Sequence, residues 1–304
     1  MKRQFLRANV SWTKFLSAAS VGPRDRACVM RDLSAAGVAI RRFFIVGCQR
    51  TGTTLLRLVL ECHPAIACLD ETNSYRTLAN VTATAPRGKS LLGFKIPRWT
   101  EQLHDATLGD FGQTETAPQF YEGEPLIFLL RDVRDTVVSM CQLRMGRQTW
   151  MDVAGRPILD SKLRQPAFRE RFAREIDLLE RFGKSDAAVG ALYWKYKTVK
   201  FFEYSEDQWP VCGVRYEELV SSPADQLRRI TEFLAIDWND ALLQHAKLPH
   251  TEILPSGLAM GNTDPKRPID SGSVGQWRTR LATRDIAHIL AIAGDINERI
   301  ASVA

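Results

Sequence analysis

The chain predicts an α/β fold: a P-loop-like three-layer domain with a mainly parallel central sheet flanked by helices. Three observations predict it. Short apolar runs alternate with helical stretches along most of the 304 residues. The runs are continuously apolar, as in strands buried on both faces, and do not alternate with polar residues. The first run, RFFIV at 42–46, enters a loop with glycines at Gly47 and Gly52, the G-x-x-x-x-G spacing of a phosphate cradle.

Each element has a local reason. Residues 24–37 read as a helix ending near Gly37, within an N-terminal helical extension over 1–41. The first strand is 42–46, and a helix follows over 52–62. His63-Pro64 ends that helix, because the residue before proline avoids helical geometry. A short strand over 65–69 ends at Asp70-Glu71-Thr72, and a helix over 73–80 follows. Residues 91–96 read as a strand stopped by Pro97, and 98–123 as irregular. The run LIFLL at 126–130 is the clearest strand, bounded by Pro125 and Arg131. A helix over 133–144 comes next, then a long loop over 146–166 of the kind that often serves as a lid. Two helices over 167–183 and 186–203 lead to a strand over 211–216. Ser222-Pro223-Ala224-Asp225 reads as a helix start, with the cap at Ser222 and proline at the first position. Residues 247–275 read as irregular, and a helix from Thr283 closes the chain.

Composition bounds the chemistry. The formal net charge is +6, and no Lys/Arg run interleaved with aromatics marks a nucleic-acid partner. The six cysteines form no C-x-x-C pair and no zinc-ligand spacing, so no metal is expected. They read as free thiols of a reducing compartment, and the chain as cytoplasmic. Cys48 lies inside the phosphate loop, where alkylation would block the site. No uninterrupted apolar stretch near the N-terminus reads as a signal peptide, and none approaches a membrane span. Residues 1–16 interleave apolar and basic side chains and are compatible with peripheral membrane contact. An arm packed on its own domain, or on the partner subunit of a homodimer, is the favoured reading, because the polar face is short of charge.

The phosphate loop departs from a nucleotide-hydrolysing one. Such loops continue with Lys and then Ser/Thr. Here Thr53 takes the lysine's place, and Arg50 supplies a cation within the loop. The loop amides and the helix N-terminus suit an oxyanion, while the metal-ordering signs are weak. A second basic loop follows the 126–130 strand, with Arg131 leaving the strand and Ser139 eight residues on. In open α/β sheets ligands bind at the carboxyl ends of the strands, so both loops belong on one rim. Read alone, Arg131-Asp132 and Arg134-Asp135 are an ion-pair pattern at a strand–helix junction; beside the first loop they read as a second phosphate site.

On these residues the chain resembles the sulfotransferases that use 3′-phosphoadenosine 5′-phosphosulfate (PAPS). Arg50-Thr51-Gly52-Thr53-Thr54 matches the family's loop for the 5′-phosphosulfate. Arg131 and Ser139 match its pair for the 3′-phosphate. Tyr216-Glu217-Glu218-Leu219 before Pro223 matches a third signature, whose tyrosine lies near the adenine. The Gly272–Trp277 segment, with Gly275, looks like the loop that closes over the nucleotide. The resemblance spans roughly residues 42–282 and implies a sulfotransferase domain over 42–304.

The branch follows from two departures. Lys95-Ile96-Pro97 stands where the small-molecule enzymes carry Lys-x-His, so their histidine base is absent. Asp70-Glu71-Thr72 aligns, without a gap from Arg50, with the Glu-Glu-Thr of the tyrosylprotein sulfotransferases. The resemblance therefore implies Glu71 as general base, Lys95 as stabiliser of the leaving oxygen, and Arg50 with the loop amides as holder of the 5′-phosphate. Gly47, Thr51, Gly52, Thr53, Thr54, Arg131, Ser139, Tyr216 and Gly275 are the other expected nucleotide contacts. PAPS is the co-substrate, PAP the product, and the acceptor a hydroxyl on a small molecule, glycan, glycolipid or tyrosine. Asn73 stands where that branch carries Arg, which bears on recognition of an acidic peptide. Acceptor walls are expected from 73–85, 98–122 and 144–166, including Trp150. The alternatives are a magnesium-dependent P-loop phosphotransferase and a non-catalytic PAP-binding protein.

Overall fold

The computed structural model describes residues 41–79, 88–103 and 123–303. The expected N-terminal extension, with its 24–37 helix and 1–16 amphipathic stretch, lies outside these residues except for Arg41. So do the acceptor walls expected at 80–85 and 104–122.

Strand β1 (Arg41–Gly47) leads through the phosphate loop into helix α1 (Thr53–Glu61), followed by β2 (Ile66–Leu69), α2 (Glu71–Ala79) and β3 (Leu91–Lys95). A 3₁₀ segment, Pro97–Gln102, follows β3, and β4 (Leu126–Leu130) runs into α3 (Val133–Gln142). The two-residue strands β5 (Arg144–Met145) and β6 (Gln148–Thr149) pair as a hairpin. Then come a π-helical turn at Met151–Gly155, α4 (Arg156–Lys162), α5 (Pro166–Arg171), α6 (Ala173–Arg181) and the long α7 (Asp186–Glu206). Strand β7 (Val211–Arg215), α8 (Tyr216–Ser221), α9 (Pro223–Phe233), a 3₁₀ segment at Asp240–Lys247, α10 (Trp277–Arg280) and α11 (Thr283–Ala301) complete the order.

The main sheet has the order β2-β3-β1-β4-β7, and every pairing in it is parallel. Successive side chains of each strand face opposite layers. Phe44, Val46, Phe128 and Leu130 pack into one core with α3, α7 and α11. Phe43, Ile45, Ile127 and Leu129 pack into the other with α1 and α9. Both layers exclude water, so β1 from Phe43 onward and β4 are apolar without interruption. From β1 the chain turns towards β2 and β3, and β4 then pairs on the opposite side of β1. This reversal opens a crevice beyond the carboxyl ends of β1, β3 and β4.

Four expectations change. The 146–166 stretch is mostly ordered, not a long loop. Gly146 (φ 67) turns the hairpin, and Trp150 N–H bonds Leu143 O at 2.8 Å. Pro157 sits in the first turn of α4, where a proline starts a helix instead of breaking it. The expected helix over 167–183 divides at Phe172. Ser222 makes no side-chain cap, because the chain arrives there already helical through α8, and Tyr216 opens that helix rather than ending a strand.

Candidate active site

The loop between β1 and α1 is held open by its own residues. Gly47 has φ +128, and a Cβ there would lie 2.5 Å from Leu129 O, so a side chain is excluded. Its N–H donates to Thr100 Oγ1 at 2.9 Å, and the same hydroxyl lies 2.8 Å from Gly47 O. Gly47 therefore ends the strand but offers no amide to a ligand. Thr51 is fully buried and bonds Cys48 O through Oγ1 at 2.7 Å, shaping the loop from within. Gly52 caps α1 at φ 103, and a Cβ there would sit 2.5 Å from the Tyr216 ring. The first-turn amides of α1 have no intrahelical acceptor, and the residues that carry them, Thr53, Thr54 and Leu55, line the crevice, as an anion site needs.

Two clefts open here. The first, of about 250 Å³, is walled by Arg50, Gly52, Thr53, Thr54, Arg131, Ser139 and Tyr216 on one side. Asn262, Thr263, Asp264, Arg267, Asp270 and Ser273 wall the other. Arg131 is 6% exposed and lies 4.3 Å over the Tyr216 ring. Its Nη1 donates to Arg50 O at 3.0 Å and its Nη2 to Ser273 O at 2.6 Å, while Nε is buried without a partner. A buried guanidinium N–H left unpaired is costly, and a phosphate oxygen would satisfy it. Ser139 Oγ accepts from Arg50 Nε at 3.1 Å, which leaves its own hydrogen free to donate. Arg50 takes a left-handed conformation (φ 75) and also donates through Nη1 to Gly261 O at 2.8 Å. Burial, with Arg131 close by, pulls its guanidinium down to about 10. A concentration of positive charge with unsatisfied donors suits a dianion.

The second cleft, of about 210 Å³, contains Glu71, Tyr75, Lys95, Pro97 and Arg98 together with Leu143, Met145, Trp150 and Met260. Arg50, Thr53 and Thr54 line both clefts, so the two meet at the N-terminus of α1. Lys95 is 2% exposed rather than a surface lysine. Its Nζ donates to Thr54 Oγ1 at 3.1 Å and lies 3.6 Å from Glu71 Oε2. Burial holds it below the usual lysine range, with Glu71 opposing. Glu71 is the first residue of α2, and Tyr75, one turn on, donates to Glu71 Oε1 at 3.1 Å. The Tyr75 oxygen accepts from Arg98 N–H at 3.1 Å, so its hydrogen is committed to the carboxylate. Burial beside Glu71 raises the Tyr75 phenol well above its ordinary value. Trp150 is buried edge-on to Tyr193 at 5.2 Å and lines this cleft, as expected from its position.

The basic–acidic run after β4 divides its labour. Arg134 pairs with Asp132 at 2.6 Å across the strand–helix junction, so this part of the run is an ion pair and not a phosphate contact. Asp135 instead accepts from Gly275 N–H at 2.6 Å and Trp277 N–H at 3.0 Å. Gly275 is thus not on a cleft wall; it anchors the segment whose Ser273 carbonyl meets Arg131. Tyr75 lies within the acceptor wall expected at 73–85 and Ser273 within the expected Gly272–Trp277 loop. The wall at 262–270 and the anchoring part of Asp135 were missed in the sequence; Asp135, one turn beyond Arg131, was absorbed into the second phosphate site. Cys48 is fully buried and its thiol pushed far up by desolvation, so the expected alkylation site is inaccessible. Among the described residues no cluster of three or more His, Cys, Asp or Glu could hold a metal ion.

Residues 42–123 match the model described as the sulfotransferase family, and residues 125–295 the model described as the sulfotransferase domain. Protein-tyrosine sulfotransferase A of Caenorhabditis elegans is 24% identical over 261 residues, covering 82% of this chain and 64% of that protein. Protein-tyrosine sulfotransferase 2 of Gallus gallus is 25% identical over 268 residues, covering 81% and 66%. The chain thus spans just under two thirds of the length of these relatives. A sulfotransferase domain from a Synechococcus olefin synthase superposes with a TM-score of 0.51 at 17% identity, covering 86% of this chain and 95% of that one. A mouse sulfotransferase complexed with PAP gives 0.51 at 17%, covering 92% and 96%. At these identities the two structures speak for the fold.

Proposed function

Because the chain belongs to the sulfotransferase family, we propose that it transfers a sulfuryl group from PAPS to a hydroxyl acceptor. The observation that carries this reading is the junction of the clefts at Arg50, Thr53 and Thr54, with Glu71 and Lys95 on the acceptor side. The donor belongs in the first cleft. Arg131, with its unpaired Nε, and Ser139 suit the 3′-phosphate, and Tyr216 backs the nucleotide side of the loop. The first-turn amides of α1 and Arg50 suit the 5′-phosphosulfate.

The acceptor enters from the second cleft. Glu71 takes the proton of its hydroxyl as the new O–S bond forms, work worth roughly 10²–10⁴-fold in rate. The bond between sulfur and the bridging oxygen breaks in line, and PAP keeps the electron pair. Lys95, already bonded to Thr54, faces that oxygen as charge builds on it. The test is calorimetric titration with PAP, PAPS, ATP and GTP, with and without magnesium. Transfer to a panel of phenols, sugars and tyrosine peptides is then followed by mass spectrometry. Metal-independent PAP binding tighter than ATP, with a mass gain of one sulfuryl group on an acceptor, supports the reading. Magnesium-dependent preference for ATP or GTP would replace it with phosphotransfer. PAP binding with no transfer to any acceptor would favour a non-catalytic binder.

A further inference from the structure

Glu252 lies outside both clefts, yet it holds the start of the helix that carries Glu71. It adopts a left-handed conformation (φ 58) in the segment between the Asp240–Lys247 turn and α10. One carboxylate oxygen accepts from Asp70 N–H, and the other accepts from Asn73 Nδ2 at 2.5 Å. Asp70 in turn accepts from Asn73 N–H at 2.9 Å through Oδ1 and from Ser74 N–H at 2.8 Å through its carbonyl. The first turn of α2 is therefore capped from within by Asp70 and from outside by Glu252. Arg57, fully buried, lies 3.6 Å from Glu252 and donates to Thr251 O at 2.9 Å. This fixes the strained residue against α1. A non-glycine residue in that region of φ persists only where its surroundings over-determine it.

The same segment runs on to the donor side. Gly261 O receives Arg50, residues 262–273 wall the nucleotide cleft, and Ser273 O receives Arg131. We infer that Glu252 is a positioning residue through which the nucleotide-walling segment sets the helix carrying Glu71. Anything that orders residues 261–273 then also orders the base. This inference rests on the transfer reading above.

The test is amide hydrogen exchange on the full chain, with and without PAP, for the wild type, Glu252→Ala and Asn73→Ala. In the wild type PAP is expected to slow exchange over both 50–55 and 70–79. In Glu252→Ala the protection at 50–55 is expected to persist, while exchange at Asp70 and over 70–79 rises by about tenfold or more. Turnover should fall by about ten- to a hundredfold in kcat with the KM for PAPS within about twofold. Glu252→Gln, which keeps one accepting oxygen, should recover part of it. Asn73→Ala removes only one of the two bonds and keeps the test available if Glu252→Ala does not fold. Unchanged exchange over 70–79 in variants that still bind PAP would overturn the inference alone. Absence of any PAP protection in the wild type would overturn the donor reading and this inference with it.

Discussion

Glu71 Oε2 and Lys95 Nζ lie 3.6 Å apart in the second cleft, and Lys95 also reaches, at 3.1 Å, Thr54, which lines both clefts. Glu71 faces the second cleft, and Lys95 touches the first turn of α1 through Thr54. A base and a cation so placed can act on opposite ends of one in-line transfer. Substituting them should separate binding from chemistry.

Glu71→Gln keeps the size of the side chain and its bond from Tyr75 but removes the carboxylate proposed as the base. Turnover is expected to fall by roughly 10²–10⁴-fold, with PAP affinity unchanged in calorimetry. An equal loss of PAP affinity would show that Glu71 serves the donor cleft instead.

Lys95→Met should lower kcat without lowering Tm at pH 7. Burial depresses the lysine from its ordinary 10.5. The unfolded chain therefore holds the proton more tightly, and folding is penalised at every pH below the folded value. That penalty fades as pH rises from the folded value towards 10.5. The variant's gain in Tm relative to wild type should accordingly shrink between neutral and alkaline pH. A variant less stable at pH 7 than at pH 10, relative to wild type, contradicts the sign.

Arg131→Ala removes the buried guanidinium whose Nε has no partner and whose other nitrogens tie Arg50 O to Ser273 O. A hydrogen bond to a charged group contributes about 1.5–3 kcal/mol, or roughly ten- to a hundredfold in affinity. PAP binding should weaken by that factor, and adenosine 5′-phosphosulfate, which lacks the 3′-phosphate, should be affected much less. Equal losses for both ligands would place the arginine elsewhere on the nucleotide.

Gly52→Ala would place a Cβ 2.5 Å from the Tyr216 ring at a φ of +103. The cost is expected to be about 1–3 kcal/mol of stability in urea denaturation, accompanied by loss of PAP binding as the loop shifts. Retention of both would mean that Tyr216 swings aside freely.

Cys48 should remain unmodified when the native protein is treated with iodoacetamide and react once it is unfolded, as read by peptide mass spectrometry. Desolvation raises its thiol and the fold covers it completely. Labelling of the native protein at Cys48 would reveal opening of the phosphate loop.

The parallel sheet, the glycine-spaced loop after β1 and the placing of Arg131 and Ser139 beside it were legible because each is a local pattern. An uninterrupted apolar run such as 126–130 reports burial on both faces, and fixed spacings report a loop or a helical turn. The 146–166 stretch was misread where local signals cut both ways. Gly155 and Pro157 resemble breakers, yet Pro157 opens α4 because the first helical turn needs no N–H from it.

The sequence by itself determined the succession of the five parallel strands, the glycine spacing of the loop after β1 and the family pattern around it. The tertiary structure alone decided that Glu71, Lys95 and Arg50 line one cleft, that Asp135 anchors Gly275 and Trp277, and that Glu252 caps the helix that starts at Glu71. It also decided that Glu101 lies fully buried between Lys162 at 3.1 Å and Lys197 at 2.5 Å, under the turn that carries Pro97 and Arg98. The physical reason is common to all of these contacts. A buried carboxylate or N–H is costly without a partner, and that partner can come from any distance along the chain. Asp135 and Gly275 are 140 residues apart, and Asp70 and Glu252 are 182. Such pairings leave no period or spacing behind; they are fixed only when the two layers close on the sheet.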